Sequence, residues 1–147
     1  MSENPSPGRV VLVGVDGSPN SVEALRWAAE YAQHVGGELR ACIAYQSWLG
    51  VGFDRAHISA ERVEREARQM LVHTIHKVLG EAGSKGIVCD VKEGNPTEVL
   101  VEASRHADLL VVGDRGHDGY KEHLLGSVSD HCIRQAHCSV VVVRARR

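Results

Sequence analysis

No stretch of about 18 consecutive apolar residues occurs in this chain, so nothing in it reads as a membrane-spanning helix. The N-terminus, Met1 to Gly8, lacks the basic-then-apolar order of a signal peptide. It is polar, carries two prolines, and reads as a short mobile lead-in. A charge excess is missing as well: the formal net charge is −2, which gives no electrostatic basis for binding nucleic acid or a membrane surface. The Arg144-Ala145-Arg146-Arg147 end is basic but only four residues long, and reads as solvated. None of the four cysteines (Cys42, Cys89, Cys132, Cys138) forms a Cys-x-x-Cys pair, and Cys42 and Cys89 sit in apolar, strand-like runs. They read as buried free thiols. Repeats, linkers and low-complexity stretches are also absent, so residues 9–147 are expected to form a single domain, located in the cytoplasm.

What is present is a regular alternation. Arg9 to Asp16 is a continuous β-branched apolar run, the pattern of a strand buried on both faces. Asp16-Gly17-Ser18-Pro19-Asn20 then turns into a helix, with the proline suited to the first helical position. Val22, Leu25, Ala28, Ala32 and Val35 recur at helical spacing until Gly36-Gly37. Leu39 to Tyr45 is a second strand; Gln46 to Ala56, with Trp48, Leu49 and Phe53 among glycines, reads as a mobile loop. A long helix is expected from Ser59 to Ala82, its outer face carrying charges four apart (Glu61 and Arg65, Arg62 and Glu66, Glu64 and Arg68). Ile87 to Lys92 is a third strand. Asn95-Pro96-Thr97-Glu98 is a helix start with Asn as N-cap, the helix running to about Arg105. Asp108 to Gly113 is a fourth strand, Ser127 to Gln135 a last helix, and Ser139 to Arg144 a fifth strand. Strands separated by helices imply an α/β fold, an open parallel five-stranded sheet with helices on both faces.

In such sheets ligands bind beyond the carboxyl ends of the strands, where strand order reverses. Two ends carry informative residues: Gly14-Val15-Asp16-Gly17-Ser18 after the first strand, and Val111-Val112-Gly113-Asp114-Arg115-Gly116 after the fourth, with Gly126-Ser127-Val128 following nine residues later. Glycines there allow close backbone approach, and a helix N-terminus favours an anion, so the second set reads as a phosphate cradle. Ser127 is expected to cap the last helix through its oxygen while its hydroxyl proton donates to a phosphate. The loop is neither of the better-known nucleotide loops: Gly-x-x-x-x-Gly-Lys-Ser/Thr is absent, and Gly14-Val15-Asp16-Gly17 lacks the Gly-x-Gly-x-x-Gly order.

Gly113-x2-Gly116-x9-Gly126-Ser127 resembles the nucleotide-binding signature of the universal stress protein family, in its ATP-binding branch. The resemblance extends through Val13-Gly14-Val15-Asp16-Gly17-Ser18, Glu93-Gly94-Asn95-Pro96, Leu125-Gly126-Ser127-Val128-Ser129 and Cys138-Ser139-Val140-Val141-Val142-Val143. It implies strand order 3-2-1-4-5, as in adenine nucleotide alpha hydrolase-like folds, and a homodimer through the final strand, Val140 to Val143. It also implies that Asp16 approaches the adenosine, that the backbone near Ala44 meets the adenine ring, and that Gly113, Gly116, Gly126, Ser127 and Val128 line the ribose and phosphates. Val15, Gly17, Ser18, Val112 and Arg115 complete the candidate binding set, Arg115 as a cation suited to a phosphate chain. The implied ligand is ATP, with AMP and cyclic AMP as alternatives. Asp114 and Asp118 bring negative charge to the loop, which Mg²⁺ shared between phosphates and water would offset.

Other readings compete. His131, Cys132, His137 and Cys138 could in principle hold zinc, but their spacing straddles a helix end and a strand start, and no metal site is expected. A nucleotide hydrolase would use Asp16 or Asp114 as base and Arg115 or Lys121 as charge, yet no nucleophile–base pair is apparent and no catalytic residue is assigned. An interaction protein with an empty site is disfavoured by the intact glycines. The reading is therefore a nucleotide-dependent sensor or regulator in a stress response, with slow Mg-dependent hydrolysis as the alternative.

Overall fold

The structure is a computed structural model, described here for residues 9–46, 59–115 and 125–144. The expected lead-in at Met1 to Gly8 and the expected loop around Trp48 and Phe53 lie outside the described residues. In chain order the elements are β1 (Val10–Gly14), α1 (Pro19–Val35), β2 (Glu38–Tyr45), α2 (Ala60–Gly83), β3 (Val88–Glu93), α3 (Pro96–Ala103), β4 (Leu109–Gly113), α4 (Ser127–Gln135) and β5 (Ser139–Val143), with a 3-10 turn at Ser104–His106 after α3. The strands form one parallel sheet in the order β3-β2-β1-β4-β5. That is the order implied by the resemblance.

Alternation along the strands divides the apolar residues between two layers. Val11, Val13 and Val15 of β1 and its extension join Ala41, Ile43 and Val111 under α1 and α2, around Leu25, Ala28 and Leu71. Leu12, Cys42, Leu110 and Val112 point the other way, under α3 and α4, around Leu100 and Cys132. Both faces of β1 and β4 are thus covered, which explains why these strands read as unbroken apolar runs.

Local chemistry explains the helix starts. Ser18 caps α1, its Oγ accepting the Ser21 N–H at 3.2 Å. Asn95 Oδ1 accepts the Thr97 and Glu98 N–H groups at 2.9 and 3.4 Å, with Pro96 opening α3. Along α2 the expected Arg62–Glu66 and Glu64–Arg68 pairs form at 3.3 Å on the solvated face. One feature departs from the expected uninterrupted helix: at Gly80 the backbone takes φ 75°, ψ 175°, so the helical run breaks there before its last turn. That φ is accessible to glycine at little cost and to other residues only with strain.

Two thiols are deep in the second layer. Burial, with Asp90 adding to it, pushes Cys42 up to about 12 from an ordinary 9.0, and burial with Cys138 nearby pushes Cys132 to about 11. A thiol that ionises later in the folded chain than in the unfolded one contributes stability that is complete below pH 9. That stability drains as pH rises through about 11–12. Urea midpoints are therefore expected to fall steadily above pH 9, and to fall less steeply in a Cys42→Ala/Cys132→Ala variant.

Candidate functional site

Strand order makes β1 and β4 neighbours, in register Val11↔Leu109, Leu12↔Leu110 and Val13↔Val111, so their carboxyl ends lie side by side. Beyond β1 the chain goes to α1 on one face of the sheet; beyond β4 it goes to α4 on the other. This is the reversal point at which open parallel sheets place ligands.

The first wall is the turn Asp16-Gly17-Ser18. Asp16 Oδ1 accepts the Ser18 N–H at 2.8 Å, and the Asp16 N–H donates to Ser21 Oγ at 3.3 Å. The carboxylate is therefore held by its own turn, a short Asx-type loop that fixes where its remaining oxygen faces. Gly17 follows with φ +84°, a left-handed conformation that requires glycine or costs strain. Ser18 is buried, its Oγ and carbonyl both engaged with Ser21. Its contribution is to anchor the turn.

The second wall is the junction of β4 with α4, and it is knotted through one residue. The Asp114 N–H donates to the Val143 carbonyl at 2.9 Å, extending the β4–β5 ladder. The Asp114 carbonyl accepts the Gly126 N–H at 2.7 Å and the Ser129 hydroxyl at 3.1 Å, and that hydroxyl also reaches the Gly126 carbonyl at 3.0 Å. The N-terminus of α4 is thereby fastened to the end of β4. The N-cap of α4 is Gly126, at φ −64° and ψ 161°, and no side chain caps it. This corrects the expectation that Ser127 caps the helix: Ser127 occupies the first helical position and is exposed, leaving its hydroxyl outside the capping scheme. The first backbone N–H groups of a helix have no intrahelical acceptor, and in α4 these include those of Ser127 and Val128. Such groups at a helix N-terminus are suited to an anion.

Charge at this wall is partly self-balanced. The Asp114 carboxylate lies 3.9 Å from Arg115 Nε, both side chains mostly covered. Among the described residues no donor reaches Asp114 Oδ1, which is buried. A carboxylate in this position repels a bare phosphate, and a divalent cation would offset that charge.

The other candidates divide by role. Val15 and Val112 are buried in opposite layers, so only their backbone can face the crevice. Ala44 follows the β1–β2 pairing at Gly14↔Cys42 and lies at the carboxyl end of β2. Asp16, Gly17, Ala44, Gly113, Arg115, Gly126, Ser127 and Val128 thus stand at the same edge of the sheet, while Gly116, Asp118 and Lys121 lie outside the described residues.

Gly113 shows a requirement that spacing alone does not reveal. A Cβ placed on it would sit 2.7 Å from the Asn20 carbonyl oxygen and 2.8 Å from its carbon, in the first turn of α1. Close packing of β4 against α1 demands glycine here before any ligand is considered. Two roles escaped the sequence reading: that of Ser129, quoted in the family motif but not as a partner of the distant Asp114, and that of Met70 of α2, whose sulfur lies 3.1 Å from where a Gly17 Cβ would be. A polar residue within a helix face that packs on a sheet is the signal that could have marked Ser129.

The zinc candidates do not converge: among the described residues no three His, Cys, Asp or Glu side chains cluster as a metal site. A separate groove of about 470 Å³ lies between α3 and the sheet, lined by Arg40, Asp90, Lys92, Glu98, Glu102 and His106 among others. It shares no residue with the candidate set. Among the described residues no helix is long and apolar enough to cross a membrane.

The sequence model of the universal stress protein family matches residues 8–144. The chain belongs to the universal stress protein family. Universal stress protein MJ0531 of Methanocaldococcus jannaschii is 30% identical over 138 residues, covering 91% of this chain and 81% of that protein. Universal stress protein Rv2624c of Mycobacterium tuberculosis is 33% identical over 140 residues, covering 94% of this chain and 49% of the relative. The chain thus spans about half the length of the mycobacterial relatives it matches. A crystal structure of a universal stress protein in complex with cAMP superimposes with a TM-score of 0.67 at 28% identity, covering 96% of this chain and all of that one.

Proposed function

We propose that this universal stress protein binds an adenine nucleotide, ATP by preference, at the reversal point between β1 and β4. The proposal extends to a cytoplasmic homodimer that acts as a nucleotide-dependent sensor or regulator. The observation that carries the reading is the Asp114 junction, which fastens the open N-terminus of α4 to the end of β4 beside the Asp16 turn. A carboxylate held by its turn suits ribose hydroxyls or an adenine edge, the backbone at Ala44 suits the ring, and the amides of Ser127 and Val128 with Arg115 suit phosphates. Mg²⁺, when bound with the nucleotide, would neutralise phosphate charge next to Asp114. The engagement of Asp16 by the Ser18 N–H supports a positioning role for that carboxylate over a base that turns substrate over. Cyclic AMP is the second reading, favoured by the cAMP complex of the 28% identical structure.

Melting with and without ligand tests the site. At a hundred times its dissociation constant, ATP is expected to add about 2.7 kcal/mol to the unfolding free energy, read as a raised midpoint. GTP at the same concentration is expected to do less. No shift with ATP, AMP or cyclic AMP at millimolar levels would leave the crevice without a nucleotide role. The dimer reading follows the resemblance and is supported by β5, which among the described residues pairs only with β4. Sedimentation equilibrium is expected to give twice the chain mass, falling to one chain for a Val142→Lys variant.

A further inference from the structure

The sulfur chemistry of the chain is unevenly distributed. Each of the four thiols is held by burial above its ordinary range, Cys42 and Cys132 strongly, Cys89 and Cys138 in the same direction. Peroxides react with thiolates, so these cysteines are poor targets. Met70 is different. Its thioether has no proton to lose, the side chain is 42% exposed on α2, and it is the sole methionine after Met1. Its sulfur also lies against Gly17, within the turn that positions Asp16.

We propose that Met70 is an oxidant-responsive wall of the nucleotide site: a hydroperoxide converts it to the sulfoxide, and the altered side chain weakens nucleotide binding through the Asp16-Gly17-Ser18 turn. This rests on the nucleotide reading above. In the reaction the sulfur lone pair takes the terminal peroxide oxygen as the O–O bond breaks. With hydrogen peroxide, the thioether is oxidised by two electrons to the sulfoxide and the peroxide is reduced to water. The product carries a new polar oxygen on a previously flexible apolar side chain. Space on the Gly17 side is already taken, since even a methyl group added to Gly17 would lie 3.1 Å from the sulfur. A sulfoxide oxygen on that side displaces the turn, and one on the solvent side draws the side chain out to water. Either change removes the apolar backing from Gly17, and the first also moves the Asp16 carboxylate. The geometry makes the site responsive to peroxide without a redox-active cysteine.

The experiment treats the full chain with hydrogen peroxide and follows Met70 by mass spectrometry of the tryptic peptide Gln69 to Lys77, while calorimetry reads ATP affinity before and after. Oxidation at Met70 is expected to outpace any oxidation of the cysteines and to slow when ATP is bound. ATP affinity is expected to fall about tenfold once Met70 is converted. Met70→Leu keeps an apolar side chain without sulfur, and its own affinity is expected to be the same before and after peroxide. Methionine sulfoxide reductase is expected to restore the wild type. Unchanged affinity in fully oxidised wild type would overturn the proposal, as would an equal loss in peroxide-treated Met70→Leu, while leaving the nucleotide reading intact. Absence of ATP binding by untreated wild type would instead sink the nucleotide reading, and this proposal with it.

Discussion

Replacing Gly113 by alanine is expected to lower the stability of the nucleotide-free protein by about 2–3 kcal/mol, because the new Cβ has nowhere to go. It would meet the carbonyl oxygen and carbon of Asn20 at 2.7 and 2.8 Å, atoms of backbone inside the first turn of α1. Neither partner is free to yield: β4 is paired on both sides, and α1 is fastened by the Ser18 cap. Gly14, at the end of the adjacent strand, is the matched comparison. Its added Cβ would meet Leu100 Cδ1 at 2.9 Å, the far end of a flexible side chain, so Gly14→Ala is expected to cost under about 1 kcal/mol. Thermal melting of the two variants without ligand checks this; the midpoint is expected to drop roughly 5–10 °C for Gly113→Ala. Equal midpoints would show that β4 and α1 can separate there. The comparison also bears on function. Nucleotide lost in Gly113 variants could follow from a displaced α1, so such variants by themselves do not report on phosphate contact.

Asp16 allows the cleaner separation of fold from ligand. Asp16→Asn keeps an oxygen for the Ser18 N–H while removing the charge; Asp16→Ala removes both. Hydrogen bonds to a charged group contribute about 1.5–3 kcal/mol net, and 1.4 kcal/mol is tenfold in affinity. Loss of ATP binding is therefore expected to be about hundredfold for Asp16→Ala and about tenfold for Asp16→Asn. The same factors are expected for AMP and cyclic AMP, since the proposed contact is to the adenosine end. Inorganic tripolyphosphate is expected to be indifferent to either change. Calorimetric titration of each ligand into each variant provides the measurement. A loss that grew with the number of phosphates would move Asp16 to the phosphate end and redraw the site.

How far the sequence anticipated this arrangement depends on the range of the interaction concerned. The Asn95-Pro96-Thr97-Glu98 start of α3 was legible because every atom involved lies within four residues. The unbroken apolar runs of β1 and β4 were legible because burial on both faces leaves no position for a polar residue. The bounds of α4, Ser127 to Gln135, were legible, but its cap was assigned one residue too late. Glycine and serine both serve as N-caps, and only the Gly126 dihedrals distinguish them. The knot at Asp114 draws on Val143, Gly126 and Ser129, and the contact of Met70 with Gly17 joins different elements, so neither has a local pattern to betray it. Gly113 was assigned to the crevice by spacing, but its closest structural constraint is the turn of α1 at Asn20, a tertiary fact.

Adenine-nucleotide binding at the reversal point between β1 and β4 is the proposal on which the other ligand predictions depend. Its most direct test is calorimetric titration of ATP with Mg²⁺ into protein unfolded in guanidinium, freed of any carried nucleotide, and refolded. Saturable binding at one nucleotide per chain is expected, abolished at the same concentrations in Asp16→Ala. Absence of heat at millimolar ATP from correctly refolded protein, or binding of equal strength in the variant, would contradict it.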